Sequence, residues 1–388
     1  MGHAALLLLG SLLLAAVVMC AAGVGGAQPP AGAAHAPAAA TLRQAAPEGL
    51  QIGAAIMSAA LDDPRLARLI ATQFNSLTGE NEFKPSSLQH EPGNFTFDRA
   101  DRIVAFARQH DMKVIGHTLV WHHQSPRWMF QDQAGNPLPR EQALANLRDH
   151  ITTVLQHFKG KVHGWDVVNE AISDRGEEYL RDTPARRAIG DDYIEQAFRI
   201  AQQADPDVEL YYNDYLIERP GKREKALRLI RNLKEKGVRI DGVGIQGHWS
   251  LDGSSLEDIE QAIVAFGQQG LKVMITELDI DVLPRRQRGS ADLSATERQG
   301  LDPYKDALPP EVAQQQARRY AELFELFCKH RQTVTRVTLW GVHDGQSWLN
   351  NYPVQGRTNH PLLWDRRLQA KPAFEAVRGA LALCAKSQ

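Results

Sequence analysis

Two glutamates close apolar runs in this sequence. Gly164-Trp165-Asp166-Val167-Val168 leads to Asn169 and Glu170, and Met274-Ile275-Thr276 leads to Glu277, Leu278 and Asp279. Ala171 and Ile172 follow Glu170, a poor setting for a merely solvated carboxylate. If both carboxyls face one cleft, the chemistry they suit is acetal hydrolysis. One carboxyl stays protonated to give a proton to the leaving oxygen, and the other stays ionised to attack the anomeric carbon or activate water. A nearby negative charge helps by raising the proton affinity of the acid. Taken singly, either Glu could instead be half of an ion pair at a rim.

Further polar clusters end other apolar runs: Thr78-Gly79-Glu80-Asn81-Glu82-Phe83-Lys84, Gly116-His117-Thr118-Leu119-Val120-Trp121-His122 and Ile245-Gln246-Gly247-His248-Trp249. Sugar hydroxyls donate and accept at once, so amides, imidazoles, carboxylates and an ammonium can orient them, while indole faces cover the apolar side of a pyranose. Trp121, Trp340 and Trp348 are the candidates for covering. Trp165 lies inside a strand and is assigned to packing; Trp128, Trp249 and Trp364 are left open.

These residues must be held by something regular. Candidate strands are Gln51–Met57, Phe74–Leu77, Lys113–Val120, Val162–Val168, Glu209–Tyr212, Gly242–Gln246, Lys272–Thr276 and Arg336–Trp340. Helical patterns follow at Pro64–Gln73, Arg99–His110, Arg140–His157, Asp191–Ala204, Arg223–Lys236, Ser255–Gln269, Pro310–His330 and Lys371–Cys384. Eight strand-then-helix units predict a single closed (β/α)₈ TIM barrel of the α/β class. An open doubly wound sheet would carry a Gly-rich phosphate loop after its first strand, and Met57-Ser58-Ala59-Ala60-Leu61 is nothing of the kind. In a barrel, chemistry sits past the C-terminal strand ends, where the clusters above fall.

Composition narrows the classes. The 388 residues are 43% hydrophobic and 23% charged, with 44 Lys+Arg against 46 Asp+Glu, a net charge of -2 that disfavours nucleic-acid binding. Residues 1–27 read as a secretory signal, with an apolar run Ala4 to Ala22 and small residues Gly25 and Ala27 before a cut. A membrane anchor is the alternative, since a spanning helix needs about 20 apolar residues; lipidation at Cys20 is a third. Residues 28–47, rich in Ala and Pro, read as a linker or arm, and 48–388 as the barrel. Cys328 and Cys384 could form one disulfide in an oxidising compartment, or remain two thiols.

Six motifs together resemble the family 10 glycoside hydrolases, the endo-β-1,4-xylanases: Glu80-Asn81 with Lys84, Gly116 to His122, Trp165 to Glu170, Tyr211-Tyr212-Asn213-Asp214-Tyr215, Gly244 to His248, and Ile275 to Asp279. The match runs from about Gln51 to Ala382. The resemblance implies that Glu170 is the general acid/base and Glu277 the nucleophile of a retaining mechanism through a covalent glycosyl-enzyme. It implies that Asn169 bonds the sugar 2-hydroxyl, Gln246 lies close to the nucleophile, and His248 bonds and orients Glu277. Glu80, Asn81, Lys84, His117 and Trp121 would shape the glycone side, with Trp340 and Trp348 over the same subsites. The partner would be xylan or xylo-oligosaccharide, with no cofactor, no metal, no nucleic acid and no obligate protein partner; a monomer is expected.

The sequence departs from the family pattern at Pro85, where a Trp often follows the Lys, at Leu216, where an Asn often follows Asn-Asp-Tyr, and in the arginine-bearing stretch Pro284–Pro309. These bear on subsite preference, not on bond cleavage. Three rival functions are distinguishable. A metal hydrolase needs convergent ligands, whereas adjacent His122 and His123 should point apart and His163 falls early in its strand. A non-catalytic carbohydrate-binding barrel would be expected to lack one carboxyl. A β-1,4-glucanase would differ only in the room it leaves for a hydroxymethyl group.

Overall fold

The computed structural model describes residues 41–283 and 302–386. The signal segment, most of the expected arm and much of the arginine-bearing stretch lie outside the described residues. The strands are β1 (Gln51–Ile56), β2 (Ser76–Gly79), β3 (Lys113–Trp121), β4 (Gly164–Asn169), β5 (Glu209–Asp214), β6 (Gly242–Ile245), β7 (His248–Ser250), β8 (Lys272–Asp281) and β9 (Val334–Leu339). Parallel pairing runs from β1 through β6 to β8, then β9, and β9 pairs with β1. The barrel is therefore closed, with eight strands. β7 is an extra strand, paired to the far end of β8.

Helix starts follow local chemistry. Asp63 caps the Arg65 N–H at 2.8 Å before Pro64–Gln73, and Ser255 caps the Asp258 N–H at 3.0 Å before Leu256–Gln268. Pro220, Pro310 and Pro372 each occupy the first turn of a helix, where a missing N–H costs nothing. The helices bury their apolar faces against the outside of the barrel. Trp165 belongs to that outer layer, packed edge-on to Phe83 and against Phe158. It fits because Gly116 on β3 has no side chain; a Cβ there would lie 2.2 Å from the indole.

Inside the barrel, Ile115, Tyr211 and Met274 form a separate apolar cluster. They come from β3, β5 and β8, alternate strands of the closed sheet, the pattern of an interior layer. This layer plugs the barrel below the strand ends.

Several expected boundaries shift, and two of the shifts have a visible cause. The arm was to run to Pro47, but Leu42–Ala45 is already helical, with Leu42 and Ala45 buried in the main core, so the folded part starts earlier. β8 was to end at Thr276 and instead continues to Asp281, because β7 lies beside its second half. Cys328 and Cys384 are bonded, Cα atoms 5.7 Å apart, joining Pro310–Lys329 to the terminal helix Pro372–Lys386.

Candidate active site

β4 delivers Asn169 as its last residue and Glu170 immediately after, at φ 57°. That left-handed conformation costs a non-glycine residue about 1–3 kcal/mol and persists only where neighbours hold it. Here the Glu170 N–H donates to the Asn213 carbonyl at 2.9 Å, and Arg181 Nε donates to the Glu170 carbonyl at 3.0 Å. The Glu170 carboxyl is buried. Its Oε2 accepts from Trp121 Nε1 and its Oε1 from Gln246 Nε2, each at 2.9 Å.

Glu277 sits within β8, where the register against β9 shifts between Ile275 and Leu278. Its N–H donates to the Gln246 carbonyl at 2.7 Å. Asn213 Nδ2 donates to Glu277 Oε1 at 2.7 Å and lies 3.0 Å from Asn169 Oδ1. On the other side, His248 Nε2 meets Glu277 Oε2 at 3.1 Å, while His248 Nδ1 meets Asp279 Oδ2 at 3.0 Å. Trp348 Nε1 donates to the same Asp279 oxygen at 2.8 Å.

This arrangement fixes charge. Burial pulls the His248 pKa down, but Asp279 and Glu277 outweigh it and push it up to about 10. Burial alone would raise the Glu277 carboxyl. The His248 hydrogen bond, the electrostatic pull of His117 and His248, and the Asn213 hydrogen bond together hold it below the ordinary glutamate value. Burial pushes Asp279 up against the pull of His248. The shared proton belongs on the imidazole, the one group that bonds both carboxylates.

The remaining predicted residues line the same mouth. Glu80, just past β2, is pushed up to about 7 by burial and by Glu82 and Glu277, against Lys84. Lys84 is buried, donates to Asn81 Oδ1 at 3.0 Å and lies 4.9 Å from the Trp121 ring centre. Burial pulls its pKa down against the attraction of Glu277, Glu80 and Glu170. His117 Nδ1 pairs with buried Asp166 Oδ2 at 2.9 Å. Trp340 packs edge-on to both His117 and His248, whereas Trp348 is half-buried and stacks on exposed Tyr352, ring centres 5.1 Å apart. Two carboxyls differently held, beside amides, an ammonium and indoles, form a cleft equipped for glycosidic bonds.

The model for "Glycosyl hydrolase family 10" matches residues 41–380. The chain belongs to that family. It is 43% identical over 318 residues to endo-1,4-beta-xylanase A of Xylanibacter ruminicola, covering 81% of this chain and 86% of the relative. Against an endo-1,4-beta-xylanase of Geobacillus stearothermophilus it is 42% identical over 340 residues, 87% and 97% of the two chains. Among solved structures, the xylanase XynB of Paenibacillus barcinonensis, complexed with a conduramine derivative, superposes with a TM-score of 0.80. That pair shares 39% identity over 90% of this chain and 100% of the other.

Within this family 10 cleft, three features differ from the sequence-based expectation or were missed by it. Gln246 was expected beside the nucleophile; its carbonyl does bond the Glu277 backbone, but its side chain reaches Glu170. Asn213 and Asp279 carried no expected role, yet they are the direct partners of Glu277 and His248. The signal for Asp279 was its spacing: two residues beyond Glu277 on an extended chain it returns to the same face. His122 and His123 were expected to point apart. The turn after β3, closed by Ser125 N–H to the Trp121 carbonyl at 3.1 Å, instead sets their rings 4.2 Å apart beside Glu170. Trp249 and Trp364 are buried in the core, and Trp128 Nε1 bonds the His90 carbonyl, so the three open tryptophans all serve packing.

Proposed function

We propose that this family 10 protein is a retaining endo-β-1,4-xylanase in which Glu277 attacks the anomeric carbon and Glu170 protonates, then deprotonates, the oxygens that leave and enter. The observation that carries this reading is the asymmetric holding of the two carboxyls. Glu277 is bonded by a cationic imidazole and an amide, which favour its ionised form. Glu170 is bonded by an indole and an amide, both neutral. In the first step Glu277 forms a bond to the anomeric carbon as the glycosidic C–O bond breaks, and the Glu170 proton goes to the leaving oxygen. Glu170 then takes a proton from the water that hydrolyses the glycosyl ester.

Asn169, adjoining Glu170, would hydrogen-bond the 2-hydroxyl; Glu80, Asn81, Lys84, His117 and Trp121 would hold the glycone, with Trp340 and Trp348 covering it. Relatives named as endo-xylanases support xylan as substrate. A relative named exoglucanase XynX, from Acetivibrio thermocellus and 41% identical, keeps a glucanase as the second reading. Among the described residues no helix is long and apolar enough to cross a membrane. The apolar segment 1–27 supports export as a cleaved signal, with the barrel as the mature domain.

The test is a product time course on β-1,4-xylan and β-1,4-glucan, resolving length and anomer. Short xylo-oligosaccharides with the β-anomer first would fit the proposal. Products from glucan alone would overturn the substrate, and the α-anomer first would overturn the mechanism. N-terminal sequencing of the exported protein checks the cut after Ala27.

A further inference from the structure

The paired histidines after β3 have no part in the mechanism above. Their rings are 44° from coplanar, so they are not simply stacked. One donor atom from each, together with a Glu170 carboxylate oxygen, lies within 4.8 Å of the others. His122 Nδ1 is buried and has no hydrogen-bond partner, a costly state for a ring nitrogen. His123 is exposed, so the cluster opens to solvent on one side.

We propose that His122, His123 and Glu170 form a binding site for one divalent transition-metal ion of the zinc or copper kind, and that the bound ion inhibits hydrolysis by occupying the Glu170 carboxylate. This rests on the reading of Glu170 as the acid/base. Two imidazoles and a carboxylate are a ligand set that zinc accepts, with water in the fourth position. Around such an ion, bonds of about 2.0–2.2 Å bring donors to roughly 3.4 Å from one another, so the side chains must close in slightly. A cavity of about 30 Å³, room for a water molecule, lies next to His122.

The ligand atoms, more than the field around them, decide which ions enter. Arg181 and Lys222 act on His122, and Arg181 and Lys84 on His123, with Asp174 opposing. Arg181 and Lys222 are themselves paired with Asp174, and Lys222 also with Asp214, so charge does not select the ion. Calcium and magnesium are disfavoured because they want many oxygen ligands and the cluster offers one carboxylate. Zinc and copper gain from bonds to imidazole nitrogen. Binding draws Glu170 away from Trp121 and Gln246 and replaces the transferable proton with an ion that cannot be passed to a glycosidic oxygen.

The experiment uses untagged full-length protein stripped of metal with a chelator. Zinc is titrated by calorimetry, and cobalt by its visible absorption, alongside xylan hydrolysis. The expected result is one equivalent of zinc bound, with hydrolysis lost at the same midpoint and restored by chelator. His122→Ala and His123→Ala should each weaken binding at least about tenfold. His123→Ala, altering an exposed side chain, should keep the metal-free turnover and melting temperature. Calcium and magnesium should neither bind nor inhibit. Zinc affinity unchanged in both variants, or no binding, overturns the site. Binding that needs both histidines but leaves hydrolysis intact at saturation overturns the inhibition. Failure of Glu170 as the acid is read separately, without metal, from its leaving-group dependence.

Discussion

The two sides of the cleft hold their carboxyls by opposite means. On the β8 side, Glu277 sits in a charged chain: Trp348 to Asp279, Asp279 to His248, His248 to Glu277, with Asn213 completing the carboxylate. On the β4 side, Glu170 is fixed through its backbone, by Arg181 and the Asn213 carbonyl, and its carboxyl meets the donors Trp121 and Gln246. A carboxylate bonded by an imidazolium is costly to protonate. A carboxyl placed by its backbone and touched by neutral donors can change protonation state without breaking a salt bridge. The difference supports the proposed division of labour, in which Glu277 attacks as an anion and Glu170 handles the proton.

The largest break comes at the charged side. Glu277→Gln keeps shape and removes the attacking oxygen anion, so turnover on xylan should fall by roughly 10⁴-fold or more with KM little changed. Steady-state rates on xylan and an aryl xyloside check it, and a loss below tenfold would place the nucleophile elsewhere. Glu170→Ala should cost about 10²–10⁴-fold on xylan, whose leaving group needs a proton, and far less on a dinitrophenyl glycoside, which needs none. Equal losses on both substrates would abolish the contrast between the two sides.

A smaller effect sharpens the comparison through pH. His248 helps hold Glu277 below its ordinary value, so His248→Asn should let that carboxyl rise and move the acidic limb of kcat/KM to higher pH. The imidazole itself is raised from 6.5 to about 10. The stability it contributes is complete below about pH 6.5 and lost as pH climbs through about 10. Wild-type melting temperature should therefore fall more steeply than that of His248→Asn across that window. Parallel melting curves, or an unmoved acidic limb, would return His248 to a purely structural role.

What was legible in the sequence follows from period and from strand ends. The eight strand-helix units and the exit positions of Glu170 and Trp121 are local patterns, and closure of the barrel follows from their number. His117, in a cluster expected to end its strand, lies in the middle of β3. The continuation of β8 past Thr276 was hidden because it depends on β7, a neighbour supplied by a different unit. Asn213 was hidden for a related reason: its importance lies in reaching Glu277 and Asn169 at sequence separations of 64 and 44. The convergence of His122 and His123 escaped strand alternation because they lie in a turn, where alternation no longer applies.

The subtlest break tests whether Asn213 truly couples the two sides. Gly244 on β6 stands opposite Asn213 on β5, and a Cβ there would lie 2.2 Å from Asn213 Oδ1 and 2.7 Å from Thr276 Cγ2. Thr276 Oγ1 donates to that same Asn213 oxygen at 2.6 Å, so neither side chain is free to move aside. Gly244→Ala should push Asn213 off Glu277, removing one of the two side-chain hydrogen bonds on that carboxylate while altering neither Glu170 nor Glu277. The expected cost is about 1–3 kcal/mol in unfolding free energy from the broken buried bonds. Turnover should fall by about tenfold, the equivalent of one such bond in the transition state. The acidic limb should shift upward, as in His248→Asn but less, because the imidazolium remains. A stability loss with an unshifted pH profile would mean that Asn213 fills space in the barrel without setting the charge of Glu277, and that the charged side depends on His248 alone.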